Sequence, residues 1–283
     1  IATFGGVFNP DLTVTYHLIQ TDAEAGTIPS LSNPYPNITN PQLIWVRVED
    51  DITGCYGAFE MELLVNPLPT PLTPATPIRV CDINNDGLAL FELLEDVDGD
   101  GFPDLASEIV NGQADVSVTY FETESLAGLG DLLNALGSFQ NTIQNTQTIW
   151  ARAEFTTTGC YVTVPIVLIV DPTPIIPATI SPIGICDINL DSIEDFDLTE
   201  REDQIYGLTQ STSDYTPTYY ETPGDADSGT DEITTPNAYQ NTSDPQTIWV
   251  RLENNNTGCY SVGSFIIDFI FCALPDATIV IDN

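Results

Sequence analysis

Gln42-Leu-Ile-Trp-Val-Arg-Val-Glu49 returns as Gln147-Thr-Ile-Trp-Ala-Arg-Ala-Glu154 and again as Gln246-Thr-Ile-Trp-Val-Arg-Leu-Glu253. Each copy alternates side chains with a period of two, the mark of a strand with one buried face. In the first copy Ile44, Val46 and Val48 point one way, and Trp45, Arg47 and Glu49 point the other. Each copy is followed by Thr-Gly-Cys-Tyr, ending at Tyr56, Tyr161 and Tyr260, where Thr-Gly marks a hairpin turn. The three hairpins are 105 and 99 residues apart. That period is too long for a solenoid unit and is the size of a small β-sandwich.

Other markers keep the same order. Val80-Cys-Asp-Ile-Asn84 returns as Ile185-Cys-Asp-Ile-Asn189, and Thr15-Tyr16 as Thr119-Tyr120 and Thr218-Tyr219. Proline-rich stretches, Asn66 to Pro77 and Asp171 to Pro182, separate the copies and read as semi-rigid extended spacers. The expected fold is all-β: tandem immunoglobulin-like β-sandwich repeats joined by Pro-rich linkers. The expected boundaries are an incomplete repeat at 1–69, full repeats at 70–174 and 175–272, and a new module or tail at 273–283. The first repeat lacks the Cys-Asp opening, so the chain reads as a mature or truncated fragment that begins mid-repeat. Pro165 predicts that its strand lies at an edge or carries a bulge. Helix is minor, with short turns expected at Asp131–Leu136 and from Thr199.

The chain has 283 residues and a formal charge of −37, with five arginines and no lysine. So acidic a surface repels nucleic acid and anionic membranes. No apolar run is long enough to span a bilayer, so direct membrane insertion is not expected. At 42% hydrophobic residues, each repeat can still bury a core.

Six cysteines at recurring positions, with no CxxC pair, point to disulfides in an oxidising compartment. Two pairings fit the spacing. One joins Cys81 to Cys160 and Cys186 to Cys259, within repeats; the other joins Cys55 to Cys81 and Cys160 to Cys186, across linkers. Sandwich geometry favours the first, because the entering strand and the last hairpin are expected at one pole.

Three acidic loops suggest calcium. Asp82-Ile-Asn84-Asn-Asp86-Gly87 has alternating oxygens and a turn glycine, but its twelfth position is Leu93, and Glu92 is one place short. Asp187, Asn189 and Asp191 repeat the pattern with Ser192 in place of glycine. Asp96, Asp98, Asp100 and Asp104 form a D-x-D-x-D-G-x-x-D loop resembling those of dockerins and thrombospondin type 3 repeats. The competing reading is a set of Asx turns that cap their own backbone.

No catalytic residue is expected. His17 is the single histidine and occupies a slot filled by Phe121 and Tyr220 in the other copies. The recurring Trp-x-Arg pair reads as a tryptophan covering the sheet, with arginine stacked on it or paired to a cross-strand acid. Asn37, Asn241 and Asn255 begin short glycosylation-type sequons that carry little weight.

The ordered set Cys-Asp-x-Asn-x-Asp-Gly, Phe-Asp/Glu-Leu, Thr-Tyr-Tyr-Glu-Thr, Asp-Ala-Glu-Ala-Gly, Gln-Thr-Ile-Trp-Val-Arg and Thr-Gly-Cys-Tyr resembles the repeats of very large surface proteins of Bacteroidota, similar to gliding-motility adhesins exported by the type IX secretion system. The resemblance implies an extracellular, cell-surface location, anchoring through a C-terminal sorting domain, and repeats that extend a distal adhesive tip. The expected function is a non-enzymatic stalk stiffened by disulfides and calcium, whose partners are the neighbouring repeats. Alternatives are a self-associating filament subunit and a carbohydrate-binding array on a secreted enzyme, with surface glycan as partner.

Overall fold

The computed structural model describes residues 3–4, 7–8, 11–27, 30–96, 104–188 and 190–270. Their regular structure is mostly strand, with five short α-helices, and they group into two compact units. The first unit comprises residues 1–69 together with 154–162, and the second holds the rest.

In the first unit, β1 (Thr3–Phe4) pairs with β2 (Val7–Phe8). A three-stranded antiparallel sheet runs in the order β3 (Leu12–His17), β4 (Gln42–Asp50), β5 (Tyr56–Leu63). Helix α1 (Gln20–Ala25) follows β3 and ends at Gly26, whose φ of 62° is the left-handed cap that favours glycine. The hairpin joining β4 to β5 is the predicted Thr-Gly turn.

The second and third repeats are two copies of a fuller arrangement, each an immunoglobulin-like sandwich. In the first, β6 (Ile78–Asp82), β7 (Leu90–Glu92), α2 (Asp104–Val110), β8 (Val116–Phe121), α3 (Glu124–Leu129), β9 (Ser138–Gln140), β10 (Thr146–Phe155) and β11 (Tyr161–Pro172) follow in sequence. One sheet has the order β6-β11-β10-β8, and β7 with β9 forms the opposing pair. The second copy repeats this with β12 (Ile183–Ile185), β13 (Asp195–Phe196), α4 (Glu202–Tyr206), β14 (Tyr215–Tyr220), α5 (Pro223–Ser228), β15 (Tyr239–Gln240), β16 (Gln246–Asn254) and β17 (Tyr260–Phe269). Its sheet order is β12-β17-β16-β14, opposed by β13-β15.

The entering strands run parallel to the last strands: Ile78–Asp82 lies along Leu168–Pro172, and Ile183–Ile185 along Ile267–Phe269. The β6 pairing begins only at Leu168, so at Pro165 β11 has no β6 neighbour, and the missing N–H costs no bond to β6, as an edge position allows.

The alternating faces sort as predicted. Ile149, Ala151 and Ala153 are fully buried in one core, with Phe91, Leu93 and Tyr120. Ile248, Val250 and Leu252 are buried in the other, with Phe196, Leu198 and Tyr219. Short 3-10 turns occur at Leu132–Asn134 and Leu198–Arg201, close to where helix was expected; Asp131 and Asp197 cap them.

Candidate functional site: the disulfide between repeats

Cys81 lies on β6 of the second repeat and Cys259 immediately before β17 of the third. They are bonded, with Cα atoms 5.5 Å apart and a sequence separation of 178. This corrects both pairings expected from spacing. Cys55 and Cys160 are free thiols, so Cys81–Cys160, Cys55–Cys81 and Cys160–Cys186 are all absent. Cys259 is taken by Cys81, which removes Cys186–Cys259. Cys186 is itself disulfide-bonded, and Cys272 lies outside the described residues.

The error lay in the direction of the entering strand. Because β6 is parallel to β11, Cys81 stands opposite Asp171. Cys160 precedes the start of β11, eleven residues back along the chain, or about 36 Å at strand rise. A cysteine on the entering strand is thus remote from its own hairpin and meets the hairpin of the following repeat.

The surroundings hold that meeting place in position. Arg79 donates to both carboxylate oxygens of Asp171, at 2.6 and 2.7 Å, with Asp171 buried. Thr173 donates its hydroxyl to the Asp82 carbonyl and its N–H to Asn85 Oδ1. Ser261 Oγ donates to the Pro174 carbonyl at 2.6 Å. Ile176 packs so tightly on Gly263 that a Cβ there would come within 2.6 Å of Ile176 Cγ2. The proline-rich linkers are therefore not free spacers. Gln210 bonds both N–H and C=O of Ile175, Arg201 donates to the carbonyls of Ser181 and Pro182, and Gln113 does for Thr70 what Gln210 does for Ile175.

Closing 178 residues by one bond is worth about 5 kcal/mol in the chain-entropy model. More to the point, neither repeat can be pulled away from the other while the bond stands.

The acidic loop beside Cys81 is folded as Asx turns. Asp82 is buried, and its Oδ2 accepts from Gly87 N at 2.6 Å, while its Oδ1 has no hydrogen-bond partner. Asn84 donates to Asp86 Oδ2, and Asp86 Oδ1 accepts from Leu88 N. In the third repeat Asp187 accepts from Leu190 N and Ser192 N, and Asp191 from Ile193 N. Ser192 stands at φ 64°, the glycine slot of this turn. Glu92 is exposed on β7, Asp96 is exposed, and Asp104 opens α2; Asp98, Asp100 and Asn189 lie outside the described residues. Among the described residues no three His, Cys, Asp or Glu side chains gather as metal ligands.

The repeated arginine has one clear job. Arg47 donates to the carbonyls of Ala23 and Glu24, Arg152 to those of Ala127 and Gly128, and Arg251 to those of Ala226 and Asp227. Each ties a short helix's last turn to the sheet, a favourable place for a cation. Arg47 stacks on Tyr56 at 3.6 Å and Arg251 on Tyr260 at 3.3 Å, the tyrosine of Thr-Gly-Cys-Tyr rather than the tryptophan beside it. The paired acid is two residues on in the same strand, Glu49 or Glu253, not a cross-strand partner. His17 is buried, with Nε2 2.9 Å from Thr15 Oγ1; Tyr220 places its hydroxyl 3.0 Å from Thr218 in the equivalent slot. Asn241, one of the sequon residues, is buried and its amide donates to the Ser192 and Ser243 carbonyls. Sequence reading missed this role, shared by Asn141, which anchors the entering loop through Ala89 N.

A family model described as the Flavobacterium inter-domain disulphide bond domain matches residues 2–69, 77–174 and 182–272. The chain belongs to this family. Its described disulfide, Cys81–Cys259, joins two of the three matched copies, as the family's description requires. Membership makes this a flavobacterial repeat protein, and a disulfide-bonded domain fits an extracellular setting. Among the described residues no helix is long and apolar enough to cross a membrane. No curated protein sequence matches the chain. Among solved structures it is similar to Sidekick-1 immunoglobulin domains 1–4, at 11% identity and TM-score 0.24, covering 93% of this chain and 68% of that one. It is also similar to zebrafish RET cadherin-like domains 1 to 4, at 10% and 0.20, covering 92% and 66%. A third is an endo-fucoidan hydrolase of glycoside hydrolase family 107, at 11% and 0.19, covering 94% and 39%. None of the three bears on what this chain does.

Proposed function

We propose that the chain is a non-enzymatic segment of the extracellular stalk of a bacterial surface adhesin, in which each repeat is stapled to the next. The observation that carries this is the Cys81–Cys259 bond between consecutive repeats. A staple of this kind resists extension, which is what a tethered surface protein under load needs. The partners are the neighbouring repeats. The resemblance of the ordered motifs to gliding-motility adhesins of the type IX secretion pathway supports cell-surface placement.

Calcium is a subsidiary part of the proposal, at the 82–87 loop. Its support is the buried, unpartnered Asp82 Oδ1 next to the staple. A hard cation accepts such an oxygen readily and would stiffen a loop that no core supports. Calorimetric titration of the intact chain and of its Asp82→Asn form tests it: calcium binding lost in the variant supports the site, and no binding by either removes it.

The stalk reading is tested by stretching single molecules from their ends. With the bond intact, the 178-residue separation between Cys81 and Cys259 stays out of the load path. Reduction should add about 600 Å of contour length, at roughly 3.4 Å per residue. The same extension before and after reduction would contradict the mechanical role.

A further inference from the structure

The second and third repeats are built alike, and shared hydrogen bonds match their residues one to one. Glu108 Oε1 accepts from Ala75 N, and Gln204 Oε1 from Ser181 N. Gln113 donates to the Val110 carbonyl, and Gln210 to the Tyr206 carbonyl. Val110 on α2 thus stands where Tyr206 stands on α4, and Ala106, one turn earlier, where Glu202 stands. On the neighbouring strands Val116 and Tyr120 match Tyr215 and Tyr219. At Ala106, Val110 and Val116 the second repeat carries small side chains where the third carries Glu202, Tyr206 and Tyr215.

In the third repeat the large side chains bond to one another. Tyr206 is buried and donates its hydroxyl to the Tyr215 carbonyl at 3.4 Å. Buried Tyr219 donates to Glu202 Oε1 at 3.5 Å. Glu202 and Tyr206 are one helical turn apart, and the Tyr206 phenol is pushed up first by burial and then by the Glu202 charge. Ring and carboxylate are therefore neighbours. In the second repeat the matching residues Ala106, Val110, Val116 and Tyr120, with Leu94 and Val118, line a cavity of about 600 Å³. Tyr120 is 1% exposed, and its buried hydroxyl has no hydrogen-bond partner among the described residues. Burial pushes this phenol up, so it is uncharged and able to donate at neutral pH. An unmade buried hydrogen bond is costly. The group left without a partner is the one whose acceptor, Glu202 in the third repeat, is replaced by Ala106 on the cavity wall.

We propose that the cavity between α2 and β8 of the second repeat binds a small uncharged aromatic molecule bearing a carbonyl group. The ring takes the place of the Tyr206 side chain, and the carbonyl oxygen takes that of the Glu202 carboxylate, as acceptor for the Tyr120 hydroxyl. A mostly apolar wall with one placed polar group is the usual form of a small-molecule site, and the volume is in the usual range. Asp115 is part of the lining and the chain carries a charge of −37, so an anion is repelled and a carbonyl is favoured over a carboxylate. The third repeat holds its own ring and carboxylate at the matching positions, which assigns the site to the second repeat. The site lies within one repeat and does not depend on the stalk reading.

Phenylacetamide is a minimal probe carrying both groups. Titrated into the intact chain and followed by protein NMR, it should bind saturably with a Kd of about a millimolar or below, as its small size allows. Ala106→Glu with Val110→Tyr installs the third repeat's own side chains and should weaken binding by about tenfold or more. Tyr120→Phe keeps the ring and should weaken phenylacetamide by about three- to tenfold. The same variant should leave toluene, which has a ring but no acceptor, unaffected. Phenylacetate should bind the parent more weakly than the amide does. Absence of saturable phenylacetamide binding would overturn the proposal, as would undiminished binding by either variant. So would an equal loss of toluene in Tyr120→Phe, or phenylacetate binding as tightly as the amide. Should the double variant fail to fold, Tyr120→Phe decides alone. None of these results bears on the Cys81–Cys259 bond, so failure here is separable from failure of the staple.

Discussion

Tyr16, Tyr120 and Tyr219 hold one position in three copies of a single sheet, yet two are sealed in a core and one faces solvent. The strands carrying them are near copies, and the same arginine ties the same helix to each. What differs is the company. In the second unit an entering strand and a Phe-containing pair close the sheet; the first unit, among its described residues, has the sheet without that cover. The repeated Ile-Trp-x-Arg strand therefore specifies an alternating face, and burial of that face is decided by a segment some 50 to 70 residues earlier. A strand pattern is a statement about what a face needs rather than about what it has.

The largest effect should come from removing that cover. Phe196→Ala leaves a void in a closed core and should lower stability of the second unit by about 3–5 kcal/mol, read by chemical denaturation. If the loss is under about 1 kcal/mol, the core does not depend on the entering segment. Next is the staple: Cys81→Ser with Cys259→Ser should lower the second unit's melting temperature by on the order of 10 °C in calorimetry, and leave the first unit's transition in place. A uniform fall in both would mean that the bond acts on something other than its two repeats. Arg251→Ala removes the donor to two helix-end carbonyls and should cost about 1–3 kcal/mol, with Arg47→Ala costing a similar amount despite the open face beside it. Smallest is Phe59→Ser, within about 0.5 kcal/mol of the parent, against a clear loss for Val164→Ser at the equivalent buried position.

Much of the fold was legible because the sequence states it three times. The Ile44, Ile149 and Ile248 faces and the Thr-Gly hairpins follow from a period of two and a glycine at positive φ, both local properties. The aromatic slot shared by His17, Phe121 and Tyr220 followed from alignment alone. The disulfide register did not, because it turns on whether β6 runs parallel or antiparallel to β11. A five-residue strand carries no local mark of its direction. The role of Asn141 and Asn241 was hidden for the same reason: their partners, Ala89 and Glu194, are about 50 residues away. The Arg–Tyr stacking was half visible, since arginine and tyrosine both recur, but their meeting depends on how the hairpin folds back.

The measurement that bears most directly on the whole account is a peptide map of the intact, non-reduced chain. A linked pair carrying Cys81 and Cys259, with Cys160 alkylated as a free thiol, is the expected result. A linked pair carrying Cys81 and Cys160 would place the staple inside one repeat and contradict the coupling of each repeat to the next.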